Sequence, residues 1–441
     1  MGIPFYFASL IKSHKNIVKT VKKDEPLEVD VLGVDFNCLI HKYLIDDNPI
    51  QSILDSFQYI LDNVCKSKKL FIALDGLVPY AKIVNQRYRR MKEKEGTGTF
   101  DRNLISPDTP FMRELEEAIK ARFPNAYFST TQEAGEGEHK LFTEIKKLNS
   151  EERKSVCIYG LDADLILISL INHNISEPDK LHLLRESADF NDPKLKTAEF
   201  ATLSIWSLLK QLPIDIIQYT ALSILCFGND FMPNLALFSL REDGYDRALH
   251  MYCECGKPDL LTTEGRTLFL EYAATKELPT LYERVLLRKR PEEKALFGKN
   301  AKLMSRKFGI HNLDGVQNIG PVVEAFWKTF HWTLYYFQNG KPLNWDWVYP
   351  YPDAPLITDI AEYEEVESPK EGKCKFALKN QLSFILPEAS LKKTRRKIMF
   401  PDEIYSETRN TWMKKYDWEM KPRISLPWNP VYNLTSVEKW I

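Results

Sequence analysis

Neither sign of charge prevails in this chain: 60 lysines and arginines stand against 61 aspartates and glutamates, a formal net charge of −1. That balance excludes a uniformly basic coat for nucleic acid, so any attraction for a polyanion has to be local. Cysteine is scarce and odd in number, seven in 441 residues, which argues against a disulfide-stapled secreted scaffold. Cys38, Cys65, Cys157 and Cys226 lie in apolar runs and read as reduced, buried thiols. Cys253 and Cys255 have no second pair at zinc spacing, so no zinc site is expected. No apolar run is long enough to span a bilayer. The N-terminus lacks the basic and apolar segments of a secretory signal, and Tyr6 stands where a myristoylation signal needs Ser or Thr. Internal repeats and low-complexity tails are also missing. A reduced, cytoplasmic protein without a membrane anchor is the expectation.

Hydrophobic residues make up 44% of the chain and aromatics 12%, and the length suits two or three packed units. The first half alternates short Val- and Leu-rich runs with amphipathic segments. Strands are expected at Val29 to Phe36, Leu70 to Leu74, Ala126 to Thr130 and Val156 to Leu161. Helices are expected at Ser52 to Cys65, Pro79 to Arg90, Phe111 to Phe123, Gly137 to Leu148 and from the fourth strand through Ile171. This is the pattern of an α/β fold with a mostly parallel central sheet and helices on both faces, over residues 1–250. From Phe200 the pattern turns helical (Ala201 to Leu212, Asp215 to Phe227, Arg266 to Lys276), and residues 251–441 read as a helical and loop-rich second region. Its acidic stretch, Glu362 to Glu371, reads as a solvated loop. Its basic run, Lys392 to Lys397, reads as a charged surface patch that could double as a nuclear address.

The acids fall where a site belongs. In open parallel sheets, ligands bind beyond the carboxyl ends of the strands. Asp35 ends the first expected strand and Asp75 follows the second. Glu136 and Glu138 follow the third, Asp162 and Asp164 follow the fourth, and Asp230 follows a helix. Alone, a DxD is usually a helix cap and GEGE a solvated turn. Their recurrence at successive strand ends favours a shared site. Acids crowded on one rim repel unless cations intervene, and hard carboxylate oxygens suit magnesium. Two such ions roughly 4 Å apart can hold a phosphodiester and activate water.

A basic stripe follows Asp75. Lys82, Gln86, Arg89 and Arg90 share one helical face at about 3.6 residues per turn. Guanidinium forks and a lysine point charge suit a terminal phosphate, although exposed basic helix faces are common. Position directly after a candidate metal ligand favours the phosphate pocket.

Taken in order, MGIPFYFASL, DFNCLIH, DGLVPYAKIVNQRYRR, NLISPDTPFM, AGEGEHK, GLDADLILISL, LLRES and CFGNDFMPNL resemble the XRN family of 5′→3′ exoribonucleases. The likeness returns at NWDWVYPYPDAPLITDI and FILPEAS. It implies a core shared with PIN and flap nucleases, and a processive enzyme converting 5′-monophosphorylated single-stranded RNA to mononucleotides with two Mg2+ ions, which Mn2+ can replace. It implies that Asp35, Asp75, Glu136, Glu138, Asp162, Asp164 and Asp230 are the catalytic metal-site acids. By the same resemblance Lys82, Gln86, Arg89 and Arg90 form the 5′-phosphate pocket. His41 would stack on the first base, against either Trp345 or Trp347. Departures are Asn234 in place of the usual His, a short segment between Arg90 and Phe100, and the lack of a zinc knuckle and appended domains. A compact, catalytic-core-only member acting as a monomer is therefore expected, as a viral version would be. Two other readings compete. A flap-type 5′ nuclease acting on DNA would need a helix-hairpin-helix after Asp230, where FMPNLALFSL stands instead. An inactive RNA-end-binding protein would have lost acids, and all seven are present.

Overall fold

A computed structural model describes residues 2–22, 24–44, 48–92, 100–190, 198–288, 313, 316–351, 353–373 and 377–396. Its centre is a seven-stranded mixed sheet. The strands are β1 (Val18–Val21), β2 (Leu27–Asp35), β3 (Cys65–Ala73), β4 (Tyr127–Ser129), β5 (Val156–Tyr159), β6 (Leu181–Glu186) and β7 (Phe200–Ser204). They lie in the order β1-β7-β6-β5-β2-β3-β4. The five strands from β6 to β4 are mutually parallel, and β7 and β1 close that edge antiparallel.

Alternate residues of the central strands feed two cores, as the period of two requires. Val31, Phe71, Val156 and Ile158 pack into one, while Leu32, Val34, Ile72 and Cys157 pack into the other. Burial on both faces explains why these strands read as continuous apolar runs. The second face is covered by α2 (Phe36–Tyr43), α3 (Pro49–Asn63) and α5 (Pro110–Arg122). The first is covered by α1 (Tyr6–Ser13), α6 (Gly137–Ile145), α7 (Asp164–Ile171) and α9 (Ile216–Phe227). Side chains of the long helix Gly320–Asn339, including Phe326, Phe330 and Trp332, join that same core. The helical region therefore packs on the sheet rather than standing apart.

Three expectations need correction. Ala201 to Leu212 is not one helix: β7 ends at Ser204, whose hydroxyl caps the short helix α8 (Ile205–Leu209). The fully buried FATLS segment pairs with β6 and β1 instead. The acidic stretch is not wholly solvated, because Glu365 accepts a two-nitrogen pair from Arg266 and a contact from His331, which leave its side chain 7% exposed. Nor is the basic run a free patch. Lys393 pairs with Asp101 and Arg396 with Asp108, clamping the C-terminal segment to the α5 side; Lys397 lies outside the described residues.

Candidate active site

Four of the five parallel strands, β2, β3, β4 and β5, lead into an acid at the same edge. Asp35 is the last residue of β2, and Asp75 lies two residues beyond β3. Glu136 is the N-cap residue of α6, Glu138 lies in its first turn, and Asp164 opens α7. Asp35, Asp75, Glu136, Glu138 and Asp162 line one cavity of about 240 Å³ with His41, Lys82, Gln86, Arg89 and Arg90. Asp164 and Asp230 sit behind this lining, both almost fully buried. Close backbone approach explains two glycines here. Gly137 donates its N–H to Asp75 Oδ1 at 2.7 Å, and a Cβ there would lie 3.1 Å from Asp35 Oδ1. Gly2 has φ of 45°, and a Cβ would fall 2.5 Å from Asp164 Oδ1.

Crowding shows in the acidities. Burial, then the charges of Asp75 and Asp162, push Asp35 up to about 8. Burial, with Asp162 and Asp230 adding, lifts Asp164 to about 7. Glu138 is driven well above the carboxylate range by burial, Asp164 and Glu136, and burial raises Glu136 against the opposing pull of Lys82. Asp162 goes the other way. Burial would raise it, but the positive charges around it, Lys82 and Arg89 among them, hold it below the usual range.

Lys82 is the surprise. Its Nζ lies 2.5 Å from Glu136 and 2.8 Å from Asp230, so the ammonium is wedged among the acids at the same cavity that Gln86 lines. The first turn of α4 (Tyr80–Lys92) faces the strand ends, which directs a residue at position three of that helix inward. Gln86, one turn on, accepts from Gln381. Arg90 donates to Ser106 Oγ and the Ile105 carbonyl, leaving the half-buried Arg89 on the cavity wall.

As placed, no three His, Cys, Asp or Glu donors among the described residues are gathered tightly enough to hold a metal ion. The donor set nevertheless fits a hard divalent cation. Asp35 Oδ1 and Asp230 Oδ1 are buried without a hydrogen-bond partner, and burial, with mutual repulsion second, pushes several acids toward neutrality. Lys82 supplies one of the positive charges that such a cluster demands. A cation must displace the protons held by Asp35 and Asp164, so its affinity should rise as pH climbs through about 7 to 8. Calorimetric titration with Mn2+ should give weaker binding and more proton release at pH 6 than at pH 8.5. Equal affinity at both would contradict these acidities.

His41 lies on α2, just past Asp35, and lines the cavity. Burial, then Arg90 and Arg89, depress its imidazole to about 3, so the ring is neutral at physiological pH. Neither Trp345 nor Trp347 lines the cavity. The Trp345 carbonyl accepts the N–H of Tyr80 at the start of α4, whereas the Trp347 indole donates to Thr329 and packs against the main core. Trp345 is thus the one tied to the helix that carries Lys82.

Several supporting residues carry no sequence signal. The hydroxyl of Tyr336, 200 residues downstream, donates to Glu136 at 2.7 Å, and its ring lies 4.4 Å from that of His139. Lys140 donates to the Leu74 and Thr130 carbonyls, joining the ends of β3 and β4. Cys38 donates its thiol proton to Asp35. Arg87, on the far side of α4, is fully buried against Phe384 and donates to its carbonyl.

The sequence has known relatives. The model of the XRN 5′-3′ exonuclease N-terminus matches residues 1–97 and 91–187, and that of the Xrn1 helical domain matches residues 298–400. Among curated proteins, 5′-3′ exoribonuclease 1 of Saccharomyces cerevisiae is 27% identical over 330 residues, covering 60% of this chain and 21% of that protein. The human 5′-3′ exoribonuclease 1 is 29% identical over 310 residues, 55% of this chain and 18% of the relative. The 5′-3′ exoribonuclease 2 of Kluyveromyces lactis is 26% identical over 350 residues, 56% and 35% respectively. The chain thus spans about a fifth to a third of the length of these relatives. Among solved structures, the catalytic core of Rad2 in complex with DNA aligns with a TM-score of 0.39 at 16% identity, over 59% of this chain and 71% of that one. Together the two family models cover more than half of the sequence, and the chain belongs to the XRN 5′-3′ exonuclease family.

Proposed function

We propose that this chain is a 5′→3′ exoribonuclease that takes the 5′-monophosphorylated end of single-stranded RNA and releases one nucleotide at a time. The observation that carries the reading is that the acid ring and the basic stripe open into one cavity. Asp35, Asp75, Glu136, Glu138, Asp162, Asp164 and Asp230 would hold two Mg2+ ions, with Mn2+ an acceptable substitute. When bound, those ions supply an activated water and charge neutralisation at the scissile phosphate. Arg89 and Arg90 fork toward the terminal phosphate while Gln86 donates its amide, and Lys82 stands between that pocket and the acids. Arg90 is braced by the Ile105 carbonyl, so its guanidinium is preorganised. A cavity of about 240 Å³ already lined by side chains suits a monophosphate and disfavours a triphosphate or cap. A monomer is the expected state, and no described helix is long and apolar enough to cross a membrane. The cytoplasm is the expected compartment.

Charge reversal tests end selection. Arg89→Glu should reduce kcat/KM on 5′-phosphorylated RNA by about 100-fold, the scale of a lost charge-assisted contact replaced by repulsion, and on 5′-hydroxyl RNA far less. Equal losses on both substrates would mean that Arg89 merely attracts the backbone.

The neutral ring of His41 is suited to stacking on the first base, with Trp345 the better-placed partner. Stacking is sequence-tolerant and contributes roughly 1–3 kcal/mol per base. His41→Ala should therefore leave the first cleavage measurable but shorten runs and stall the enzyme at duplexes. Unchanged run lengths on a long labelled transcript would remove the clamp from the mechanism.

A further inference from the structure

A second and larger cavity, about 480 Å³, lies outside the acid ring, between α1 and the start of α10 (Gly244–Glu254). Its most unusual member is Phe5. The ring is 48% exposed, and the residue sits at φ 65°, a left-handed conformation that bulky side chains rarely adopt. The Arg241 guanidinium lies over this ring, 4.4 Å from its centroid. Ala8 and Leu240 extend the apolar floor. Core packing does not require an exposed, strained aromatic, and a cation stacked on one face leaves a flat amphipathic platform.

The cavity is also close to the chemistry. Gly2 abuts Asp164, and three residues of chain can reach no more than about 11 Å, so Phe5 stands within one or two nucleotides of the acids. The rim argues against a phosphate here. Glu242 and Asp246 line it, and Lys12 is engaged by Asp243 at 2.6 Å. Carboxylates repel a phosphate but accept hydrogen bonds from exocyclic amino groups, whereas the N3–H of uracil is flanked by two carbonyls that a carboxylate repels. A flat neutral ring carrying amino groups fits both the platform and the rim.

We propose that the Phe5–Arg241 platform is a second base-binding site, which stacks an unpaired purine or cytosine base next to the active site and accepts uracil poorly. This rests on the reading of the chain as a single-strand RNA nuclease. The base comes either from the strand or from the released nucleotide, and one set of titrations separates them.

The protein, with EDTA to prevent cleavage, is titrated with 5′-phosphorylated RNA in which a single abasic nucleotide is walked along the strand. The expected result is one position, beyond the first base, where the abasic lesion weakens binding about tenfold in the wild type and has no effect in Phe5→Ala. In parallel, AMP, CMP, GMP and UMP are titrated against Phe5→Trp, whose fluorescence a stacked base quenches. Quenching by AMP, CMP and GMP but not UMP, with a flat abasic walk, assigns the site to the product nucleotide. An abasic profile identical in wild type and Phe5→Ala, together with no quenching or quenching that ignores base identity, overturns the proposal. Magnesium-dependent degradation by the wild type is scored separately. If that fails, the nuclease reading falls; if it succeeds while the walk and the quenching fail, only the platform falls.

Discussion

Asp35→Asn is expected to cut hydrolysis by about 10³-fold or more, roughly 4 kcal/mol of transition-state stabilisation, while RNA still binds. Affinity rests on phosphate and stacking contacts that Asp35 does not make. The same substitution should make the metal-free protein more stable. Asp35 is raised from 3.8 to about 8, so the folded chain retains a proton that the unfolded chain has lost. With more protons bound in the folded state, stability falls as pH rises between those values. Asparagine carries no such penalty. The stability gap in urea unfolding should therefore open near pH 4, widen to about pH 8 and then stay constant. An active variant, or one that is less stable at pH 8.5, would remove Asp35 from the acid ring.

Lys82→Ala distinguishes a lysine that neutralises acids from one that only binds phosphate. Its ammonium is buried between Glu136 and Asp230. Removing one partner from a buried ionic cluster costs about 3–5 kcal/mol, because the remaining charges lose their compensation. The metal-free variant should be destabilised on that scale, and millimolar Mg2+ should restore part of the loss by supplying positive charge in its place. Hydrolysis should fall as well, since Lys82 lies on the path between the phosphate pocket and the acids. If unfolding is unchanged and only affinity for 5′-phosphorylated RNA drops, the lysine belongs to the phosphate pocket alone.

The parts of this molecule that were legible in the sequence are the local ones. Val29 to Phe36 reads as a buried parallel strand because both its faces are apolar, and β2 spans Leu27–Asp35. Acids at strand ends could be grouped because a parallel sheet places its strand ends on one edge, and five of the seven line one cavity. The antiparallel strands were missed because Phe200–Ser204, flanked by β6 and β1, is fully buried and lacks the alternation that marks a half-exposed strand. Long-range contacts were equally silent. Nothing near Tyr336 signals a partner at Glu136, and Gln381 meets Gln86 from 295 residues away. The helical stripe placed Lys82, Gln86, Arg89 and Arg90 on one face, but periodicity says nothing of depth. Depth separates Lys82 among the acids from Arg89 on the wall.

The most direct test of the account is a single incubation in magnesium. Identical single-stranded RNAs carrying a 5′-monophosphate, a 5′-triphosphate or a 5′-hydroxyl, each labelled at the 3′ end, are followed over time and resolved by length. The monophosphorylated strand should disappear first, yielding mononucleotides and a labelled strand that shortens from the 5′ side, and EDTA should stop the reaction. The triphosphorylated strand should persist. Internal cuts, shortening from the 3′ end, or equal rates on all three ends would contradict it.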